Sequence, residues 1–200
     1  MKKNIGAYQF QQTNCTTITK IAFEFCKSRN IKAEPLVVRC QVLNPPMVGY
    51  LKNNCTDIQL NDIATALKEE RAFIRACGYP PNKNDIGKLA VGQDWRGHLV
   101  LLVENSLALD LTFNQMSLPH HGIILPEIHS FEVSQQHLNS KGLSIYELNG
   151  CMALYEFFKG EHSYLPLDVW KNGTTENAKV ARFVSEMIFK YRRRSNDIFK

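Results

Sequence analysis

Two short apolar segments separated by three polar residues constrain the fold of this chain more than any other feature. The first runs from His98 to Val103, and the second runs from Leu107 to Phe113. In the second segment, apolar residues occupy every other position, which is the period of a strand with one buried face. The intervening residues, Glu104-Asn105-Ser106, are enough for a hairpin turn. The pattern therefore predicts two neighbouring antiparallel strands.

The rest of the chain predicts further strands and helices packed around the sheet. Apolar residues with helical spacing predict helices at Thr16–Arg29, Asp62–Cys77 and Thr175–Arg193, the last with Ala178, Ala181, Val184, Ile188 and Tyr191 facing inward. Further strands are predicted at Leu36–Leu43, Ser130–Val133, Leu143–Leu148 and Met152–Phe158. The last two form a hairpin through Asn149-Gly150, a pair typical of tight turns. The predicted class is α+β, with an antiparallel sheet.

The size of the chain favours a single domain over residues 1–200. Hydrophobic residues make up 44% of it, which is enough for a real core. The longest apolar stretches are too short to span a bilayer, and no signal-peptide core follows the first residues. The expected location is the cytoplasm, with export as an effector by a non-classical route as the alternative. No membrane partner is expected, and the oligomeric state stays open.

The six cysteines have irregular spacing and form no CxxC pair. Most of them lie within apolar patterns, as expected of reduced thiols that behave as small hydrophobic side chains. No cysteine or histidine pair has the spacing of a zinc finger, so no metal and no cofactor is expected.

The net charge is +5, and the excess lies near the C-terminus. The basic residues there are Lys190, Arg192, Arg193, Arg194 and Lys200. Such a cluster fits an anionic partner, but cations at a helix end also complement the helix dipole. The solvated helix end is the favoured interpretation, and nucleic-acid binding is the weaker one.

Cys15 differs from the other five cysteines in its predicted position. It follows Asn14, a good N-cap residue, and so falls in the first turn of the first predicted helix. The free amides and the dipole at a helix N-terminus stabilise a thiolate, which is the nucleophilic form of cysteine. Cys15 is therefore the candidate nucleophile.

A thiolate needs a base, and the base needs a partner that orients it. His98 opens the first strand of the predicted pair, and Asp110 lies on the polar face of the second. If Val103 pairs with Leu107 across a three-residue turn, Asp110 becomes the diagonal neighbour of His98 on the same face, within about 7 Å at Cβ. A two-residue turn would send Asp110 to the other face.

Two blocks of the sequence resemble the transglutaminase-like core of the papain-like cysteine enzymes. The first is Asn14-Cys15-Thr16-Thr17 at the start of a helix, followed by Asn30 to Val38 leading into a strand. The second is Gly97-His98 followed by an apolar strand and then Asp110-Leu111-Thr112. The resemblance implies a nucleophile helix packed on an antiparallel sheet. It treats residues 44–94 as a helical insertion between the blocks and residues 174–200 as a C-terminal helix.

The resemblance also implies a Cys15–His98–Asp110 triad and a thioester intermediate. The backbone amide of Cys15 would help bind the oxyanion. Gln9 has a spacing from Cys15 similar to that of the papain-like oxyanion glutamine, with Gln11, Gln12 and Trp95 as rivals. The expected substrate is a peptide, a protein glutamine or a small amide or acyl compound.

Three reactions fit this interpretation: amide hydrolysis, deamidation and acyl transfer. The sequence does not separate them, because the second step depends on whether water or an amine reaches the thioester. The competing interpretation is a catalytically idle scaffold of the same fold that binds protein or nucleic acid.

Overall fold

A computed structural model describes residues 14–52, 57–78, 97–139, 143–172 and 177–198. The helices are α1 (Asn14–Ser28), α2 (Pro45–Lys52), α3 (Asp57–Lys68), α4 (Gln135–Asn139), α5 (Asp168–Lys171) and α6 (Ala178–Ile198). The strands are β1 (Ala33–Leu43), β2 (Ile74–Cys77), β3 (His98–Val103), β4 (Leu107–Asp110), β5 (His129–Glu132), β6 (Leu143–Leu148) and β7 (Cys151–Phe158). Two short 3₁₀ helices follow β4, at Phe113–Met116 and Pro119–His121.

The seven strands of the described chain form one sheet in which every pair is antiparallel. The order is β5-β4-β3-β1-β7-β6, and β2 also pairs with β1. β1 is therefore the central strand. β7 pairs with one side of it, and β3 and β2 pair one after the other along its other side. The mixture of helices and antiparallel sheet confirms the predicted α+β class.

Helix α1 packs on the sheet next to α6, as its apolar stripe predicts. Ala22, Phe25 and Cys26 are buried together with residues of β3 and α6. The prediction of a helix over 16–29 is confirmed, with the start two residues earlier at Asn14. Cys15 consequently lies in the first turn.

The predicted helix over Asp62–Cys77 is wrong in its second half. Helix α3 ends at Lys68, and the chain turns at Glu70, which has a φ of 58°. The amide of Arg71 donates to Ala66 O, and that of Glu70 to Leu67 O, which closes the helix in a Schellman motif without the usual glycine. The segment counted as helical in residues 44–94 therefore includes a strand, β2, at Ile74–Cys77.

Helix α2 has no counterpart among the predicted elements, and Asn44 explains where it starts. The Asn44 Oδ1 accepts hydrogen bonds from the amides of Met47 (3.1 Å) and Phe73 (2.9 Å). Its Nδ2 donates to the carbonyl oxygens of Arg71 (2.8 Å) and His121 (3.0 Å). A buried asparagine before proline is a strong N-cap, and here it also joins three segments of the chain.

The hairpin of β6 and β7 is confirmed. Leu148 pairs with Cys151, and the turn residues Asn149 and Gly150 have φ values of 53° and 78°. The strand predicted to reach Phe113 is too long, because β4 ends at Asp110. Phe113 turns into a 3₁₀ helix and is buried in the cluster that contains Tyr155, instead of joining the leucines of β4.

Helix α6 confirms most of the predicted C-terminal helix. Ala181, Val184 and Ile188 are buried against α1 and the sheet, and Tyr191 is partly buried there. Ala178, predicted to face inward, is exposed, because it lies in the first turn of the helix. Within the described residues, no helix is both long and apolar enough to cross a bilayer.

Candidate active site

One edge of β1 brings two reactive side chains together. His98 of β3 pairs with Val38, and Cys77 of β2 pairs with Cys40 on the same edge. Because Val38 and Cys40 are two residues apart on one strand, their side chains and those of their partners point to the same face. The start of β3 and the end of β2 therefore meet end to end, with His98 and Cys77 as neighbours.

Gly78 makes this close meeting of two strands feasible. It has a φ of +77°, and a Cβ there would lie 2.0 Å from Val38 O and 2.9 Å from His98 Cβ. Only glycine fits a left-handed backbone in so little space. The residue ends β2 and lets the chain leave β1 beside the histidine.

The register of the predicted strand pair is confirmed. Val103 pairs with Leu107, so the turn has three residues, and two of them, Glu104 and Asn105, adopt positive φ. This register brings Asp110 to the face of His98. The His98 Nε2 lies 2.8 Å from Asp110 Oδ2, and both side chains are buried.

The Asp110 carboxylate is held at both oxygens. The Tyr155 hydroxyl donates to Oδ2 at 2.9 Å, and the Thr112 amide donates to Oδ1 at 3.3 Å. The Tyr155 hydroxyl oxygen also lies 3.4 Å from Nδ1 of His129. His129 is the residue of β5 opposite Asp110 in β4. A buried carboxylate with this many donors has a fixed orientation, and it fixes the imidazole in turn.

The thiol of Cys15 lies next to the His98 side chain and interacts with it in a way that favours the protonated ring. Since Nε2 of His98 is occupied by Asp110, Nδ1 is the ring nitrogen available to a thiol. The Cys15 side chain is only 2% exposed and packs with Val37, Leu99 and Tyr164. Cys15 lies in the first turn of α1, and this turn packs against β1 and β3.

Cys77 is a functional candidate that the sequence analysis missed. Its side chain lies beside both Cys40 and His98 and interacts with each of them. The hydrogen bond from Cys40, the positive charge of His98 and the bond to His98 together outweigh burial and lower the pKa of Cys77 to about 5. The sequence placed Cys77 at a helix end, where no local signal reveals its pairing with Cys40.

The charges of the site favour an ion pair. Burial disfavours a charged His98, but the Asp110 carboxylate and the Cys77 thiolate outweigh it and raise the pKa of His98 well above its ordinary value. Burial raises the pKa of Cys40 well above the usual value of a thiol, so Cys40 keeps its proton beside the Cys77 thiolate. The site therefore holds an imidazolium between a carboxylate and a thiolate.

The structure brings His98 and Asp110 into contact and places Cys15 beside His98. Gln9 and its rivals Gln11, Gln12 and Trp95 lie outside the described residues. His129 is buried among aromatic rings and contacts Tyr155.

A metal site is not present in the part of the chain that the structure describes, since no three His, Cys, Asp or Glu side chains there are arranged to hold an ion.

Comparison of the whole chain with protein-family models, curated proteins and solved structures found no match.

Proposed function

We propose that this protein is a cysteine-dependent acyl enzyme of the papain-like, transglutaminase-like type. Cys15 is the nucleophile, His98 is the general base and acid, and Asp110 orients the imidazole. One observation carries the proposal: the thiol in the first turn of α1 and the buried carboxylate of β4 contact the same histidine. This is the order of nucleophile, base and orienting acid that thiol catalysis requires.

The mechanism follows from these contacts. Attack needs the Cys15 thiolate, so the proton of the Cys15 thiol passes through Nδ1 of His98 to the Cys77 thiolate, and the imidazolium keeps a proton on Nδ1. The Cys15 sulfur then attacks the carbonyl carbon of an amide. When the C–N bond breaks, His98 gives the proton on Nδ1 to the leaving amine, and a thioester remains on Cys15. Water or a second amine then attacks the thioester, with His98 again taking and returning the proton. The amide of Cys15 lies in the first turn of α1, where backbone amides point out of the helix and can bind an oxyanion.

The substrate class follows from this chemistry: a peptide, a glutamine side chain or a small amide or acyl compound. Hydrolysis and deamidation use water in the second step, and acyl transfer uses an amine. The resemblance of the two sequence blocks supports the same family of reactions.

A catalytically idle binding scaffold is the second candidate, and one observation favours it. The Cys15 side chain is 2% exposed beneath Tyr164, so a substrate reaches it only after that contact opens. The basic C-terminal helix would be the contact surface for a partner, although Arg192 is already paired with Glu104.

The deciding experiment is a search for an acyl adduct. The full chain is incubated with a panel of activated esters, peptide amides and glutamine-containing peptides, and turnover and thiol adducts are measured by mass spectrometry. We expect the adduct on Cys15, and a loss of turnover of about a thousandfold or more in Cys15→Ala. Cys26→Ala is the matched control, since Cys26 is a buried thiol of the same helix outside the site.

Two outcomes would count against the proposal. An adduct on Cys77 that persists in Cys15→Ala would make Cys77 the nucleophile. No turnover and no adduct across the panel, together with salt-dependent binding of nucleic acid, would favour the idle scaffold.

A further inference from the structure

The pair Cys40 and Cys77 has the geometry that a disulfide needs. The two residues are directly opposite each other in the antiparallel ladder of β1 and β2. Directly opposed residues in such a ladder have Cα atoms about 4.5–5.5 Å apart. Disulfides join Cα atoms about 4.4–6.8 Å apart, so the spacing of directly opposed residues is within the range of a disulfide.

The side chains are already in contact and differ in chemical character. The two thiols interact with each other, and the charge of His98 acts on Cys77. Cys40 is fully buried, whereas Cys77 is partly exposed at the end of β2. A reagent therefore reaches Cys77 first, and Cys40 is placed to react second.

Two of the other described thiols, Cys26 and Cys151, lack this arrangement. Cys26 lies in the cluster between α1 and α6, and Cys151 lies at the start of β7, where its thiol donates to Gly122 O at 3.7 Å. Neither pairs with a cysteine in the sheet.

We propose that Cys40 and Cys77 form a redox-sensitive dithiol, which a hydroperoxide oxidises to a cross-strand disulfide. In the first step, the Cys77 thiolate attacks the terminal oxygen of the peroxide, the O–O bond breaks, and the departing alkoxide or hydroxide takes a proton. Cys77 is oxidised to a sulfenic acid and the peroxide is reduced to an alcohol or water. In the second step, Cys40 loses its proton and attacks the Cys77 sulfur, the S–O bond breaks, and water leaves. An external dithiol reverses the reaction by exchange.

The disulfide changes the site next to it. His98 loses its thiolate neighbour, so the imidazolium keeps only the Asp110 carboxylate as a charged partner. The new bond also ties the end of β2, and with it Gly78, to β1. The proposal is independent of acyl chemistry at Cys15, because neither step uses that thiol.

The test is peroxide titration of the full chain followed by peptide mapping without reduction. We expect hydrogen peroxide to link the Cys40 and Cys77 peptides, with a loss of two hydrogen atoms, and dithiothreitol to restore both thiols. The linked protein should have a higher Tm than the reduced protein, because the crosslink restricts the unfolded chain. The link should form unchanged in Cys15→Ala and Cys26→Ser.

Three results with the wild-type chain would each overturn the proposal. They are a Cys77 that proceeds to sulfinic acid while Cys40 stays reduced, a link between Cys77 and Cys15, and no change at either thiol at peroxide concentrations that oxidise the methionines. In Cys77→Ser, a link from Cys40 to another cysteine would equally contradict the pairing. None of these results depends on whether the protein turns over an amide.

Discussion

At the residue scale, the site depends on buried polar groups that satisfy one another. Asp110 accepts from His98, Tyr155 and the Thr112 amide, and Tyr155 in turn contacts His129. Each of these groups would be costly to bury alone, so the network has to form as a unit. His129 is the member whose protonation should be visible in the stability of the whole protein.

We expect acid to destabilise the protein partly through His129. Burial outweighs the nearby Asp110 charge and lowers the pKa of His129 to about 4 from its usual 6.5. As the pH falls below 6.5, the unfolded chain binds a proton there and the folded chain does not, so stability falls until about pH 4. His129 should account for a loss of about 2 kcal/mol between pH 7 and pH 5.

Urea unfolding at the two pH values measures this loss. In His129→Phe, which keeps an aromatic ring among its aromatic neighbours, the loss should be smaller by that amount. His162→Gln, at an exposed position, should behave as the wild type. Equal pH dependence in the His129 variant and the wild type would show that His129 is not held neutral by burial.

At the element scale, the meeting of β2 and β3 on one edge of β1 depends on Gly78. Gly78→Ala should destabilise the protein by about 3 kcal/mol or more, because its Cβ would collide with the Val38 carbonyl oxygen in addition to the strained φ. Gly160→Ala is the matched control, since Gly160 has a φ of +81° but open space around it. The control should cost about 1–2 kcal/mol.

Urea unfolding of the two alanine variants compares these losses. A similar loss in both would mean that β2 moves away from β1 at little cost, and that the close approach at Gly78 is not needed.

The elements that sequence patterns predicted best are those whose signals are local. Each of three elements has a signal in its own residues: the helical period of α1, the residue types of the Asn149-Gly150 turn and the alternation that begins at Leu107. These elements are confirmed. Ile74–Cys77 failed because its place is set by β1, more than thirty residues earlier in the chain. A short segment of mixed residues has no helical or strand period strong enough to reveal such a partner.

The residues of the candidate site also differ in whether a local sequence signal predicts their position. His98 and Asp110 were predictable because a three-residue turn and a period of two place them on one face. Cys77 was not, because its contacts with Cys40 and His98 exist only after β2 and β3 are aligned on β1. Tyr155 likewise reaches Asp110 only through the pairing of β7 with Cys40.

At the scale of the whole molecule, α6 supports the helix that carries Cys15. Ile188 is 3% exposed in the cluster shared by α1, α6 and the sheet, whereas its neighbour Phe189 is 66% exposed. Ile188→Ala should cost about 2–4 kcal/mol, since it opens a cavity behind α1. Phe189→Ala should change stability by less than about 0.5 kcal/mol.

Thermal and urea unfolding of the two variants test this difference. If Ile188→Ala unfolds as the wild type does, α6 is not part of the cooperative core, and α1 is held by the sheet alone.

The common edge of β1 has a consequence for motion around His98. β2 and β3 are hydrogen-bonded to the same strand, so bending or twisting of β1 carries Cys77 and His98 in the same direction and preserves their separation. Cys15 lies on α1, which is held to the sheet by side-chain packing. Such packing deforms more easily than a ladder of backbone hydrogen bonds. Fluctuations of the fold would therefore change the distance between Cys15 and the imidazole of His98, while the distance between Cys77 and that imidazole stays nearly constant.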